Sequence, residues 1–489
     1  ITLQVKERNL RPGAASRVTL EVHNQGPGTA YGVLVEMAGG EGYTVQVGSQ
    51  LLSALPPHER TCVDFIFVAS APTIRGKFTA RYADFAEADA LATCEEDLSN
   101  VSLTFRSIPN PYVPGLPLEV GSELFLGRED IFKFVAQNLS SAHRRVMVLT
   151  GQRRMGKTSL LKQLPLRLPS QLVPVFVDCQ GLECRGLGNL LFHLAYIIGD
   201  FLEADGVPVP IPPINDFQER PLLTFERDFL RPLGVALGDR TLLLLIDEFQ
   251  ALDEAVEAGD LTPGHLGFLR SLMQHQDKLT FLFSGLQKPF EQARDHWQPV
   301  FNIALRREVG LLEPQHLREL IEKPVAGLVH YHAGAVEELI RLTCGQPYLT
   351  QLFCDRLINR LNDQRETEVR VPQIHQVIPE IFSAGVNHFH SLWDDLGARE
   401  KIVLIGLSGC LSHHQFATLS SVTRYLRERG MMADLDDLTT VLQQLLGLDL
   451  IRYANSQPPG YTFSVLLFRL WIEKEMLHSL LGSSIKWPA

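Results

Sequence analysis

Gly151-Gln152-Arg153-Arg154-Met155-Gly156-Lys157-Thr158 follows the apolar run Val146-Met147-Val148-Leu149 and leads into Ser159-Leu160-Leu161-Lys162. The apolar run predicts a buried strand, and the residues after the loop predict the start of a helix. Two glycines and a Lys-Thr pair at this spacing form a strand-to-helix bend. In such a bend successive backbone N–H groups turn inward, and phosphate oxygens are what they can hold. The helix N-terminus adds partial positive charge at the same point. Gly151, Gln152, Arg153, Arg154, Met155, Gly156, Lys157, Thr158 and Ser159 are therefore the expected phosphate cradle. Lys157 should reach the outer phosphates, and the Thr158 hydroxyl should face Mg2+.

Leu242-Leu243-Leu244-Leu245-Ile246-Asp247-Glu248 is an apolar strand ending in two acids. Asp247 is the expected Mg2+ group, and Glu248 the expected base or water-orienting group for hydrolysis. Thr280-Phe281-Leu282-Phe283 ends in Ser284-Gly285, which places a hydroxyl where it could meet the outer phosphate or the attacking water. Arg306 and Arg307 precede a further strand, and Arg307 is the candidate for delivering positive charge to a neighbour's phosphate. Gln180 is a candidate to hydrogen-bond and restrain Glu248.

The chain has 489 residues and a net charge of −11, so several domains are expected and neither nucleic acid nor an anionic membrane is favoured by the overall field. The seven cysteines (Cys62, Cys94, Cys179, Cys184, Cys344, Cys354 and Cys410) are scattered and form no CxxC pair. They read as thiols in a reducing, cytoplasmic setting. No apolar run is long enough to cross a membrane, and no secretory leader is visible. The first residue is Ile1 rather than methionine, which fits a fragment whose upstream effector is missing.

Residues 1–106 alternate as short strands, with Val18, Leu20 and Val22 on one face and turns at Asn24–Gly28 and Pro56-Pro57. An antiparallel sandwich is expected there. Residues 107–122 carry Pro109, Pro111, Pro114 and Pro117 and read as an extended linker. Over 123–325 strands near 145–150, 174–178, 241–247, 279–284 and 306–312 alternate with helices, predicting an α/β core on a parallel five-stranded sheet. Residues 326–395 are read as a helical lid, within an all-helix stretch from 314 to 392, and 396–489 as helices followed by a hairpin.

These motifs, in this order, resemble AAA+ ATPases, most closely their STAND-like bacterial and archaeal branch, over roughly residues 108–478. Asn110-Pro111-Tyr112-Val113-Pro114-Gly115 and Phe125-Leu126-Gly127-Arg128-Glu129 resemble the family's leading segment, which lies beside adenine. The resemblance therefore implies ATP contacts at Tyr112, Val113, Phe125, Gly127 and Arg128. Gly345-Gln346-Pro347-Tyr348 resembles the lid's GxP element, in which Pro347 breaks the helix and closes over the base. ATP with Mg2+, nucleotide-dependent rearrangement, homo-oligomerisation and protein partners in signalling or defence against phage are implied. Asn24–Met37 resembles Ig-like domains of the CARDB and NEW3 type, a sensor or adaptor. No lid arginine after the GxP and no aromatic pore loop match a translocating motor.

Residues 396–489 resemble a winged helix. The helix that would enter a DNA groove carries Asp434, Asp436 and Asp437 and no Lys or Arg, so a regulatory use is favoured over DNA binding. Basic and acidic residues balance over 395–489, nine of each. The competing readings are a DNA-associated AAA+ ATPase of the origin-recognition or transposition-helper kind, and a scaffold that holds nucleotide without turnover. The histidine pairs His330/His332, His388/His390 and His413/His414 lack the spacing of a metal site.

Overall fold

The computed structural model describes residues 1–10, 13–71, 73–84, 89–99, 105–139, 146–286, 304–411, 415–431, 434–455 and 459–476. His413, His414 and the Gln457-Pro458 turn lie outside them. The chain divides into two compact units, residues 1–107 and 108–489.

Period-two alternation builds the first unit. β1 (Thr2–Asn9), β2 (Ala15–His23), β3 (Ala30–Ala38), β4 (Tyr43–Val47), β5 (Ser49–Leu55), β6 (Arg60–Ala69), β7 (Thr73–Ala83) and β8 (Ala90–Ser99) form two antiparallel four-stranded sheets. Their orders are β1-β2-β6-β4 and β5-β3-β7-β8. Val18, Leu20, Val22, Phe65 and Phe67 from one sheet join Val33, Val35 and Phe78 from the other in a single buried core. Successive residues of a strand point to opposite faces, so one apolar residue in two suffices to fill it.

The second unit is organised on β9 (Met147–Thr150), β10 (Leu172–Asp178), β11 (Thr241–Asp247), β12 (Leu279–Gly285) and β13 (Leu305–Glu308). They form one sheet in the order β10-β11-β12-β9-β13, and every pairing is parallel. Alternate residues serve opposite faces. Met147, Leu149, Leu243, Leu245 and Leu282 pack on Ile131, Leu160 and Leu161. Val148, Val175, Leu242, Leu244 and Phe281 pack on Leu190, Leu194 and Phe229. Helices therefore cover both faces, which is why β11 is buried at all seven positions. Each buried leucine contributes about 2 kcal/mol. The parallel arrangement gathers Thr150, Asp178, Asp247, Gly285 and Glu308 along one carboxyl edge. Ligand crevices of open α/β sheets form at that edge.

Helices Pro314–Glu322, Ala335–Thr343, Pro347–Gln364, Val371–Ala384 and Val386–Asp394 follow. The helix-only reading of 314–392 misses a parallel pair between β14 (His330–Tyr331) and β15 (Glu368–Val369). Two-residue strands leave no periodicity to detect. The proline-rich segment after residue 107 is built into this unit. Ile108 N–H donates to Asn362 Oδ1 at 2.7 Å, Leu118 N–H to Ser159 Oγ at 3.0 Å, and Gly121 N–H to Gln163 Oε1 at 2.8 Å.

The last part of the unit comprises helices Ala398–Leu411, Leu419–Arg427 and Leu435–Gly447, the hairpin β16 (Ile451–Ala454) and β17 (Gly460–Phe463), and helix Leu466–Trp471. Thr418 and Asp434 cap the second and third helices by accepting from Ser421 N–H and Leu435 N–H. Trp471 is fully buried and stacks on Phe389 and Phe468, with ring centroids 5.7 and 5.9 Å away. That stack joins the Leu466–Trp471 helix to the Val386–Asp394 helix.

Candidate functional site

The bend expected at residues 151–158 is present: β9 ends at Thr150 and a helix runs over Lys157–Gln163. Gly156 stands before that helix at φ 87°, a conformation costly for any residue with a Cβ. The Lys157 ammonium is buried and turned back on the loop, donating to Gly151 O at 3.0 Å and Gln152 O at 2.8 Å. Burial lowers its pKa, opposed by the nearby Glu248 and Asp247 carboxylates. The carbonyl bonds are the ones a phosphate would replace.

Thr158 donates its hydroxyl to Asp247 Oδ2 at 2.6 Å. Asp247 is 2% exposed, and its other oxygen has no hydrogen-bond partner among the described residues. A buried carboxylate with an unused oxygen beside a hydroxyl fits a hard divalent cation such as Mg2+. Thr158 and Asp247 are the residues that would hold it. When bound, the ion neutralises charge on the outer phosphates.

A cavity of about 520 Å³ opens over the loop. Arg153, Arg154, Met155, Gly156, Lys157, Thr158 and Ser159 form its phosphate end, with Glu248 and Gln180 beside them. Phe125, Arg128 and Pro347 also line it. Arg128 is buried, donates to Met155 O at 3.1 Å, and has a pKa lowered to about 10 by desolvation. Three arginines and a lysine against one glutamate suit a polyanion.

Several expected residues lie elsewhere. Tyr112 is buried in packing, its hydroxyl donating to Ile321 O at 2.8 Å, and it is not among the lining residues. Val113 N–H donates to Gln351 Oε1 at 3.3 Å, and it is Gln351 that reaches the cavity. Gly127 packs beside His316, outside the lining. The Gln152 side chain turns away and donates to Leu448 O at 2.6 Å. Ser284 is fully buried at the end of β12, its Oγ unpartnered among the described residues, and does not line the cavity. Arg307 forms a surface ion pair with Asp130, while Arg306 donates to Thr150 Oγ1 at 3.3 Å. Neither arginine lines this chain's own cavity.

The hydrogen bond to Glu248 comes from Gln250, two residues on, rather than from Gln180. Gln180 instead uses its backbone N–H on Asp178. Pro347 starts a helix at its first turn rather than breaking one. The preceding Gly345, at φ 98°, lets the chain pass Leu312, whose carbonyl oxygen would stand 2.5 Å from an added Cβ. Sequence reading also missed Tyr348, Asn387 and Ser391. Tyr348 receives the Arg154 guanidinium 4.1 Å over its ring. An aromatic directly after the GxP was the signal available.

Residues 140–292 match the family model described as an AAA domain. No curated protein matches the chain. Among solved structures, a Walker-type ATPase of Pyrococcus abyssi is similar at 16% identity and a TM-score of 0.53, over 73% of this chain and 99% of that one. The ORC2 protein of Aeropyrum pernix, in ADPNP–ADP complexes, is similar at 14% identity and a TM-score of 0.49, over 76% and 97%. The first likeness concerns the fold; the domain match and the Lys157–Thr158–Asp247–Glu248 geometry concern the chemistry. Residues 140–292 thus carry an AAA domain, and the chain is a P-loop enzyme that hydrolyses ATP with Mg2+.

Proposed function

We propose that the chain is a nucleotide-dependent regulatory switch of the STAND-like kind. The carrying observation is that the phosphate loop is gripped from two other parts of its unit. Gln152 donates to Leu448 O at 2.6 Å, and Arg154 lies over Tyr348 at 4.1 Å. A triphosphate entering the cavity meets the same loop, so its binding must compete with or reinforce those contacts. Leu448 is then one hydrogen bond, and Tyr348 one cation–π contact, from the loop that would hold the nucleotide. In this reading helices Ala398–Leu411, Leu419–Arg427 and Leu435–Gly447 and the hairpin after them are a winged helix used for regulation. The first unit is an Ig-like sensor or adaptor, and slow hydrolysis through Glu248 resets the state. Nucleotide-driven self-assembly or a protein partner is the output, with signalling or defence against phage as the setting.

Mass photometry of the purified chain with ADP and with a non-hydrolysable ATP analogue tests the proposal. A change of mass or of protease sensitivity between the two nucleotides is expected, and its loss in Gln152→Ala. Identical behaviour with both nucleotides defeats the switch reading while leaving ATP hydrolysis intact.

A DNA-associated reading has one observation in its favour. Ser420, Thr423, Arg424 and Arg427 line a surface hollow of about 430 Å³. Glu428 shares that hollow, and the neighbouring helix begins Asp434-Leu435-Asp436-Asp437. The local field therefore works against phosphate. A duplex shifted by the protein at low salt, and released by Arg424→Ala, would restore this alternative.

A further inference from the structure

We infer that Gln250 is a positioning residue for ATP hydrolysis, clamping Glu248 to the end of β12. The inference rests on Glu248 being the group that orients the attacking water. Glu248 is not a glycine, yet its backbone sits at φ 52°. Non-glycine residues hold such a conformation only when their surroundings impose it. The imposing contacts are visible. Phe249 N–H donates to Ser284 O at 3.2 Å, which fastens the turn after β11 to the last residues of β12. Gln250 Nε2 donates to Glu248 Oε2. Gln250 Oε1 accepts from Leu286 N–H at 3.4 Å, just beyond β12. A single carboxamide thus spans from the carboxylate to the neighbouring strand.

Gln250 is 7% exposed, although a helical glutamine normally faces water. Room for it depends on Gly285, where an added Cβ would stand 2.6 Å from Gln250 Oε1 and 2.5 Å from the Phe249 ring. Burying a primary amide is costly unless both of its ends are used, and here they are. With Oε2 taken by the amide, Oε1 is the oxygen left for water, and Glu248 lines the cavity where that water would stand. Gln250 does not line the cavity. It acts by limiting the orientations open to Glu248.

Steady-state turnover and nucleotide affinity of the full chain, in four variants beside wild type, test this. Gln250→Met keeps length and apolar bulk but removes the amide. Gln250→Glu keeps the shape and the acceptor for Leu286 while placing a like charge against Glu248. Both should lower kcat, by about 10- to 100-fold for Met as for loss of an outer-shell partner, and more for Glu. KM and nucleotide Kd should stay as in wild type. Glu248→Gln should abolish steady turnover, and adding Gln250→Met to it should not slow the residual single-turnover rate further. Wild-type kcat in Gln250→Met beside an inactive Glu248→Gln overturns the clamp and spares Glu248. An equal further loss in the double variant, or raised Kd in both single variants, also overturns it, because general damage would then explain the effect. Wild-type turnover in Glu248→Gln removes the reading of Glu248, and the clamp with it. If Gln250→Met melts lower than wild type, the isosteric Gln250→Glu decides.

Discussion

Among the described residues Lys157 has no partner that could equal a phosphate. Its ammonium is buried, burial lowers its pKa, and among those residues it donates to two backbone carbonyls. Replacing Lys157 with Ala removes a charge-assisted bond worth about 1.5–3 kcal/mol, so ATP affinity should fall roughly 10- to 150-fold in a titration. Unchanged affinity would mean the cavity binds something else. His388 is a second buried titratable group. It is 2% exposed, its Nδ1 has no partner among the described residues, and its ring meets Tyr348 edge-on at 5.1 Å. Desolvation first, and Arg154 second, lower its pKa from 6.5 to about 3. A depressed histidine costs nothing while neutral in both states. Below pH 6.5 the unfolded chain takes up a proton that the folded one refuses, so stability falls with pH until about pH 3. At pH 5 the loss is about 2 kcal/mol. His388→Phe should flatten the fall in Tm between pH 7.5 and pH 5; an unaltered slope would assign it to other groups.

At the scale of elements, runs of apolar residues made the strands of the central sheet readable, because burial on both faces removes the need for alternation. Leu242–Ile246 is the plainest case, each side chain at 6% exposure or less. The phosphate loop was readable for a related reason: its shape depends on residues adjacent in sequence. The proline-rich segment was not. Prolines forbid helix and suggest a tether, but the amides of Ile108, Val113, Leu118 and Gly121 find Asn362, Gln351, Ser159 and Gln163, partners that spacing cannot reveal. Tyr112 was misjudged similarly, its ring buried and its hydroxyl on Ile321. Gln250 gave no signal at all, since a glutamine in a short helix is ordinary until its burial is known. The bend before the Pro347–Gln364 helix is equally local in cause and distant in effect. Gly345 combines φ 98° with a carbonyl 2.5 Å from where a Cβ would be. Gly345→Ala should therefore cost about 1–3 kcal/mol, measured as a lower Tm, and weaken ATP binding through a displaced Pro347 and Tyr348. A variant as stable as wild type would show that the bend at Gly345 can move aside.

On the scale of the whole molecule, the two units carry separate hydrophobic cores. Val18, Leu20, Phe65 and Phe78 close the first. Val148, Leu244 and Phe281, with Met147, Leu245 and Leu282 on the opposite face, close the second. Each is large enough to unfold as its own cooperative step, so calorimetry of the intact chain should resolve two transitions. Only the second unit holds the phosphate loop, and a ligand stabilises the state that binds it by RT ln(1 + [L]/Kd). A non-hydrolysable ATP analogue with Mg2+ at 100 times its Kd therefore adds about 2.7 kcal/mol to one transition and nothing to the other. Lys157→Ala should erase that selective shift at the same analogue concentration without moving either transition in the absence of nucleotide by a comparable amount. A shift of both transitions together would contradict independent unfolding of the two units.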